Sequence, residues 1–343
     1  MNLPCLCMRV VKTRAELEEV VGSGCVLVPT MGALHHGHTV LFTKAIAHAQ
    51  GMAPHDHPHT PNAQRGLRTR DGEAEGEESG GGRGGGGGGQ HRSTRLPVVV
   101  SIFVNPTQFN ESTDFSRYPR VLEEDVAACA QLGVDVVFAP APEVVYPPDE
   151  TIPVGPIPAV ATEPGLEDAF RPGHFEGVCQ VVRRFFVLTG AKAMVFGEKD
   201  FQQLQTVRAM VRDEGLGVEI VPVQTVRETD GLALSSRNRL LRDDDRQAAL
   251  AISRALHAAG QVSDAHQAEA VMERVLVAEG RRRVQIEYAA VRDAHTLGQV
   301  EPGKPARALI AARVGEVGAS GGEDRTVRLL DNAPWPTGAV CQS

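Results

Sequence analysis

The hydrophobic residues of the first two thirds of the chain form two alternating patterns. Short, continuous apolar runs are typical of strands buried on both faces of a parallel sheet. They occupy 25–29, 97–104, 134–140, 191–197 and 218–223. Amphipathic stretches typical of helices lie between most of these runs. They occupy 13–22, 39–49, 121–133, 177–190 and 200–215. Strands alternating with helices predict an α/β fold with a Rossmann-like, doubly wound parallel sheet.

The pattern changes after residue 225. Two helical stretches, 243–260 and 264–279, are followed by two alternating apolar segments, 283–293 and 304–315, which we predict to be antiparallel strands. We therefore expect a Rossmann-like domain over 1–225 and a smaller C-terminal α+β domain over 226–333.

Residues 51–95 interrupt the first domain. They contain almost no large apolar side chains, and nine of the ten residues in 80–89 are glycine. Such a segment cannot bury enough surface to offset the entropy of ordering it, so we predict a disordered Gly-rich insertion. A metal site at the H-x-H-x-H of 55–59 is the alternative. A solvated tract is favoured because no folded scaffold would orient the imidazoles.

Composition narrows the classes of partner. The 343 residues carry a net charge of -8 with a pI of about 5.9, which disfavours nucleic acid. No apolar run approaches the length of a membrane span and the N-terminus does not match a secretory signal, so we expect a cytoplasmic protein. The six cysteines have no C-x-x-C spacing, which indicates reduced, structural thiols; Cys5-x-Cys7 leaves a metal alternative open.

The segment PTMGALHHGH (29–38) follows a predicted strand and precedes a predicted helix. A helix N-terminus offers unpaired N–H groups and a partial positive charge to phosphate. Gly37 would let a ligand approach the backbone, and the imidazoles of His35 and His38 would donate to an oxygen that gains charge. The segment fits the H-x-G-H pattern and predicts triphosphate chemistry, the alternative being a surface loop with incidental histidines.

Two further segments add polar groups suited to a carboxylate. SIFVNPTQFN (101–110) ends a predicted strand, where ligands bind in such sheets, and supplies Asn105 and Gln108. The alternative there is an Asn-Pro turn. RPGHFEGV (171–178) supplies Arg171 and His174 on either side of a Pro-Gly turn, an arrangement suited to an anion.

Two later segments add cations and hydroxyls. FGEKDFQQLQ (196–205) supplies Lys199, a compact cation suited to phosphate oxygens, while Asp200 is expected either to cap the next helix or to approach Mg²⁺. GLALSSRNRL (231–240) brings two serines and Arg237 into a loop between the domains. This loop is interpreted as a mobile phosphate clamp or, equally, as a simple polar linker.

Together these five segments, in this order, closely resemble the pantothenate synthetase (pantoate–β-alanine ligase) family, and VRLLDN (327–332) resembles the C-terminal strand of that family. The resemblance covers the chain apart from 51–95 and both ends. It implies the H-x-G-H nucleotidyltransferase superfamily, a C-terminal domain that closes as a lid, and a homodimer. The implied reaction makes pantoyl adenylate and pyrophosphate from ATP and pantoate. β-Alanine then yields pantothenate and AMP.

The resemblance also implies residue roles. His38, His35 and Lys199 are expected to be catalytic. Asn105, Gln108, Gln203, Arg171 and His174 are expected to bind pantoate and β-alanine. Mg²⁺ is expected with the ATP phosphates, its protein ligands left open. ATP is expected at Met31, Gly32, Ala33, Leu34, His35, His36, Gly37, His38, Gly197, Glu198, Lys199, Asp200, Val226, Leu234, Ser235, Ser236 and Arg237.

Two rival functions use part of the same pattern. Another adenylyl or cytidylyl transferase would share H-x-G-H but lack NPTQF and RPGHF, which are present at 105–109 and 171–175. A non-catalytic nucleotide-binding protein would not need every polar site residue, yet all of those expected are present.

Overall fold

The computed structural model describes residues 8–51, 95–109, 115–116, 118–316 and 325–336. The strands in these ranges are β1 Arg9–Val11, β2 Val26–Thr30, β3 Val98–Ile102, β4 Val136–Phe138, β5 Ala193–Gly197, β6 Glu219–Val223, β7 Val284–Asp293, β8 Ala306–Glu316 and β9 Arg325–Trp335. The helices are α1 Arg14–Val21, α2 His36–Gly51, α3 Leu122–Gln131, α4 Pro142–Val145, α5 Glu167–Phe170, α6 His174–Thr189, α7 Phe201–Asp213, α8 Asp243–Ala259 and α9 Ala265–Glu279. Short 3-10 helices occupy Pro106–Gln108, Ala159–Ala161 and Ser236–Leu240.

The predicted α/β fold is confirmed. Six parallel strands form one sheet in the order β1-β4-β3-β2-β5-β6. The chain leaves β2 for β3 on one side and later returns to β5 on the other side of β2. The strand order therefore reverses beside β2, and a crevice opens there beyond the carboxyl ends of the strands.

The sheet is covered on both faces, as its continuous apolar strands predict. Along β2, Val26 and Val28 pack on one face with Phe42 of α2, whereas Leu27 packs on the other with Phe175 and Phe185 of α6. Because side chains alternate along a strand, one run of buried residues serves two cores.

The predicted C-terminal strands are antiparallel, in the order β7-β8-β9. Helices α8 and α9 cover one face of this sheet with an Ala-rich core that includes Met272 and Leu276. The indole Nε1 of Trp335 donates to the carbonyl of Ala259 at 2.9 Å, tying β9 to the end of α8. The domain boundary between 225 and 226 stays a prediction.

Several local predictions are borne out and others are corrected. The helix predicted over 13–22 is found as α1, where Thr13 and Glu16 form a capping box and Gly22 ends the helix. Helix α6 begins at His174, three residues before the predicted start, because the Pro-Gly turn leads directly into it. Strand β1 and the one-turn helices α4 and α5 were not predicted, since segments this short carry too little periodicity.

The two ends of the predicted insertion belong to ordered elements. Gly51 is the last residue of α2, and Arg95 pairs with Asp135 through contacts of 2.6 and 3.0 Å. Residues 52–94 lie outside the described residues, and with them the predicted disorder and the histidines of 55–59. Within the described ranges, no helix has the length and apolar character of a membrane span.

One close helix contact in the first domain depends on Gly177 of α6. A Cβ at this position would clash with the backbone of Thr107 and Gln108, whose amide nitrogen would be only 2.7 Å away. The carbonyl of Gly177 also accepts from Asn105 Nδ2 at 3.1 Å. Glycine therefore allows α6 to press directly on the turn that follows β3.

We predict that Gly177→Ala lowers the free energy of unfolding by roughly 1–3 kcal/mol, because backbone atoms cannot move aside as a side chain can. This loss should exceed the gain of about 1 kcal/mol that alanine brings to a helix. Chemical denaturation measures it. Gly217→Ala is the matched control, since nothing lies within 4 Å of its Cβ position. Equal stability of the two variants would contradict the close approach.

Candidate active site

Most of the site residues predicted from the sequence line one cleft. It lies in the crevice beside β2 and extends to the second sheet through Leu309, Leu330 and Asn332. The predicted residues that line it are Met31, His35, Gly37, His38, Asn105, Gln108, Arg171, His174, Gly197, Lys199, Asp200, Gln203, Val226, Leu234, Ser235, Ser236 and Arg237. Gly32, Ala33, Leu34, His36 and Glu198 do not line the cleft.

The loop after β2 is held by a residue that was not predicted. Asp125 of α3 accepts from the N–H groups of Ala33 at 2.9 Å and Leu34 at 2.7 Å. Gly32 has a φ of +82°, and a Cβ there would lie 2.8 Å from Asp125 Oδ2. Gly32, Ala33 and Leu34 thus shape the loop and do not form the cleft wall. Their contact with ATP stays a prediction, as does that of His36, the exposed first residue of α2.

The backbone fixes the tautomers of the two cleft histidines. Gly37 N–H donates to His35 Nδ1 at 3.1 Å, and His35 N–H donates to His38 Nδ1 at 3.1 Å. Since both Nδ1 atoms accept, each neutral ring carries its proton on Nε2. Gly37 also makes room for the His35 ring, whose Cε1 would lie 2.8 Å from a Cβ.

Both imidazoles are neutral at pH 7. Burial, followed by the Lys199 charge, lowers the pKa of His35 to about 4. Burial, followed by His35, lowers the pKa of His38 to about 3. The free protein therefore presents two neutral N–H donors, which stabilise charge on a ligand oxygen without themselves being acids.

Both polar atoms of the Asn105 side chain form hydrogen bonds with other groups of the protein. Its Nδ2 donates to Gln108 Oε1 at 3.2 Å and to the Gly177 carbonyl, and its Oδ1 accepts from Tyr146 Oη at 2.9 Å and from Thr107 N–H at 3.3 Å. The turn interpretation therefore holds: Asn105 caps the 3-10 helix Pro106–Gln108. Through the bond to Oε1 it also orients the Gln108 side chain in the cleft.

His174 likewise orients a neighbour. Its Nδ1 lies 3.0 Å from the carbonyl of Gln108, which only accepts, so Nδ1 carries the proton. Its Nε2 is then free to accept from Arg171 Nη1 at 3.1 Å. Both ring nitrogens are used within the protein, and His174 directs the Arg171 guanidinium along the cleft wall.

Lys199 and Asp200 follow β5. Lys199 Nζ lies 3.4 Å from Asp200 Oδ1, and the Asp200 side chain is 47% exposed. Asp200 occupies the N-cap position of α7, but its side chain makes no capping hydrogen bond, contrary to one of the two sequence expectations. Burial acts to raise the pKa of Asp200, but the charges of Lys199, Arg237 and Arg171, together with the hydrogen bond from Lys199, lower the pKa overall, so the group is a carboxylate.

Ser235 caps the 3-10 helix Ser236–Leu240 by accepting from Arg237 N–H at 3.2 Å. Ser236 and Arg237 of this turn line the cleft together with Lys199. Arg237 forms no ion pair within the described ranges, so its charge is available to an anion.

The second sheet is tied to the loop after β5. Arg307 of β8 pairs with Glu198 at 2.9 Å, stacks at 4.0 Å over Phe201, and donates to Asn332 Oδ1. Asn332 Nδ2 donates in turn to the carbonyls of Glu198 and Lys199. The Glu198 side chain therefore faces β8 and not the cleft, and its contact with ATP stays a prediction.

Several cleft residues were missed by sequence reasoning. Glu167 and Gln202 are buried polar residues in the lining, Tyr288 and Asn332 come from segments interpreted only as strands, and Tyr118 lies in a stretch for which no element was predicted. Asn332 stands in the VRLLDN segment that supports the resemblance, the one signal that could have identified it. In the parts of the chain that the structure describes, no group of three His, Cys, Asp or Glu residues could hold a metal ion.

The arrangement defines a class of enzyme. Neutral imidazole donors at a helix start, an ammonium and a guanidinium surround the crevice of a nucleotide-binding type of sheet. Such a site stabilises charge on departing phosphate. The geometry is that of an H-x-G-H enzyme acting on a nucleoside triphosphate.

Comparison with known proteins identifies the family. The profile of the pantoate-beta-alanine ligase family matches residues 7–53 and 90–334. The pantothenate synthetase of Rubrobacter xylanophilus is 44% identical over 329 residues, 92% of this chain and 93% of its own. That of a Nocardioides species is 42% identical over 320 residues, 91% and 79% of the two chains. The chain therefore belongs to the pantoate–β-alanine ligase family.

Solved structures agree. The pantoate-β-alanine ligase of Thermus thermophilus superimposes with a TM-score of 0.73 at 35% identity, covering 95% of this chain and 99% of its own. The ligase of Francisella tularensis, solved in complex with Beta-gamma ATP and β-alanine, gives a TM-score of 0.65 at 26% identity, covering 96% and 98%. The fold and family inferred from the five segments are confirmed.

We predict that His174 makes stability depend on pH. Burial, followed by the Arg171 charge, lowers its pKa from 6.5 to about 4. Above pH 6.5 the ring is neutral in both the folded and unfolded chain. Below it the unfolded chain gains a proton that the folded protein does not bind until about pH 4, so the free energy of unfolding falls as pH falls through this window.

At about pH 5 this single ring should remove roughly 2 kcal/mol of the stability present at neutral pH. In urea denaturation, the free energy of unfolding of His174→Gln should therefore fall less between neutral pH and about pH 5 than that of the wild type. His257→Gln, which changes an exposed ring on α8, should behave as wild type. An unchanged pH dependence in the His174 variant would contradict a buried, neutral ring.

Proposed function

We propose that the protein joins pantoate to β-alanine with ATP, through a pantoyl-adenylate intermediate, to give pantothenate, AMP and pyrophosphate. The observation that carries this proposal is the pair of neutral Nε2–H donors that share one cleft with Lys199 and Arg237. Membership in the pantoate–β-alanine ligase family and the relatives named pantothenate synthetase support the same activity. The Francisella relative was solved with the ATP analogue and β-alanine, which supports both as substrates here.

In the first half-reaction a pantoate carboxylate oxygen attacks the α-phosphorus of ATP. The bond from that phosphorus to the bridging oxygen breaks, and pyrophosphate leaves with the electron pair. Negative charge grows on the phosphate oxygens, where His35 and His38 donate hydrogen bonds and Lys199 and Arg237 supply positive charge. Because these donors are fixed before ATP binds, they need little reorganisation as the charge develops.

In the second half-reaction the neutral amine of β-alanine attacks the acyl carbon. The acyl C–O bond breaks, AMP leaves, and the amine releases a proton as the amide forms. We propose that Gln108 and Gln203, both neutral and both in the lining, position the pantoate. Arg171, directed by His174, offers a guanidinium to a carboxylate of either acid.

Mg²⁺ fits this site as a companion of the ATP phosphates. Asp200 is a partly exposed carboxylate with no capping bond, and Mg²⁺ in proteins is commonly held by one or two carboxylates together with substrate phosphates. Bound there, it would neutralise phosphate charge. The homodimer and the cytoplasmic location expected from the sequence stay predictions, as does the closing motion of the C-terminal domain.

The activity is tested directly. Purified protein with ATP, Mg²⁺, pantoate and β-alanine should form AMP, pyrophosphate and pantothenate in equal amounts, each measured by chromatography. Omitting β-alanine should leave adenylate formation, seen as pantoate-dependent exchange of labelled pyrophosphate into ATP. Formation of ADP and phosphate would indicate an acyl phosphate and overturn the adenylate mechanism.

We predict that His38→Ala and Lys199→Ala each slow adenylate formation roughly 10²–10³-fold, the scale of removing one preorganised donor. Pantothenate formation from supplied pantoyl adenylate should fall much less, because no pyrophosphate leaves in that step. Rapid quench separates the two rates. Lys44→Ala and His257→Ala change exposed residues outside the cleft and serve as controls. A near wild-type first step would contradict the proposed roles.

A further inference from the structure

Glu167 connects the short helix α5 to the second sheet at the wall of the cleft. It begins α5, and its side chain is only 7% exposed. Arg328 of β9 donates to both of its carboxylate oxygens, at 2.6 and 2.7 Å, and Tyr288 Oη of β7 donates to Oε1 at 2.8 Å. A buried carboxylate requires such partners, because an unpaired buried charge is strongly unfavourable.

The partners of Glu167 are themselves fixed within the second sheet. Arg328 Nε donates to Glu287 Oε2 at 2.6 Å, so the guanidinium is hydrogen-bonded to two carboxylates, those of Glu287 and Glu167. Burial, followed by the negative charge of Glu167, raises the pKa of the Tyr288 phenol well above its usual value, so this hydroxyl remains a donor. The carboxylate belongs to the first domain, whereas both donors belong to the C-terminal sheet.

The cluster of Glu167, Tyr288 and Arg328 lies next to Arg171, a cation of the cleft. Arg171, one turn after Glu167, has its Nη1 at 3.9 Å from Glu167 Oε2 and at 3.1 Å from His174 Nε2. Glu167, Arg171 and Tyr288 all line the cleft. Moving the C-terminal sheet away from α5 would therefore break three hydrogen bonds and admit water beside Arg171.

We propose that Glu167, Tyr288 and Arg328 form a clasp that keeps the C-terminal sheet over the cleft until the amine attacks the acyl adenylate. Glu167 is then a positioning residue that protects the intermediate from water. This inference rests on the proposed function. In the side reaction that the clasp prevents, water adds to the acyl carbon, the C–O bond to AMP breaks, and pantoate, AMP and a proton result without an amide.

The number of AMP molecules released per pantothenate formed tests the clasp. In the wild type this ratio should be close to one. Glu167→Gln and Arg328→Met should each raise the excess of AMP over pantothenate roughly tenfold at limiting β-alanine, because each weakens the closed arrangement. The double variant should leak no more than the stronger single variant, since both remove the same contact.

Two further variants separate the clasp from general stability. Tyr288→Phe removes one hydrogen bond and should fold normally. Its excess of AMP over pantothenate should be larger than that of the wild type but smaller than that of Glu167→Gln or Arg328→Met. Arg283→Met breaks a comparably buried ion pair with Asp245, away from the cleft, and should keep the ratio at one. A parallel fall of AMP and pantothenate in the Glu167, Arg328 and Tyr288 variants would overturn the clasp alone. A wild type that forms no AMP from ATP, pantoate and β-alanine together would overturn the proposed function as well.

Discussion

The chemistry of this protein depends on two hydrogen bonds between Asp125 and the loop after β2. The carboxylate accepts from consecutive N–H groups, those of Ala33 and Leu34, and so sets the path of the chain into α2. That path brings His35 N–H to His38 Nδ1 and thereby fixes which nitrogen of His38 faces the ligand. One carboxylate on a neighbouring helix thus determines the hydrogen-bonding direction of a ring it does not touch.

The same principle recurs around the cleft, where buried polar groups hold one another before any ligand is present. Asn105 orients Gln108, and His174 orients Arg171. Low pKa values keep the imidazoles neutral, while Lys199 and Arg237 provide the positive charge. In this site the imidazole rings of His35 and His38 therefore supply hydrogen bonds, whereas the lysine and arginine side chains supply positive charge.

The main sheet and most of the cleft could be predicted from sequence, because continuous apolar runs report burial and three of the five segments fall at strand ends. The sequence does not reveal contacts between distant segments. Nothing in the sequence near Asp125 indicates that it holds a loop 91 residues earlier. Glu198 stands in a recognisable segment, yet Arg307 turns its side chain away from the cleft. Short elements such as β1 and α5 carry too few residues to produce a periodic signal.

The bonds from Asn332 to the carbonyls of Glu198 and Lys199 have a consequence for the timing of biosynthesis. All strands of the parallel sheet are present once β6 has left the ribosome, and the loop that carries Lys199 is then held by the bond from Glu198 N–H to the Val223 carbonyl. Its further bonds to Asn332 require a residue near the end of β9 to have been translated. Domains that emerge first generally fold first. A chain that terminates before β9 therefore contains every strand that borders the crevice but lacks the two Asn332 hydrogen bonds that hold the loop carrying Lys199.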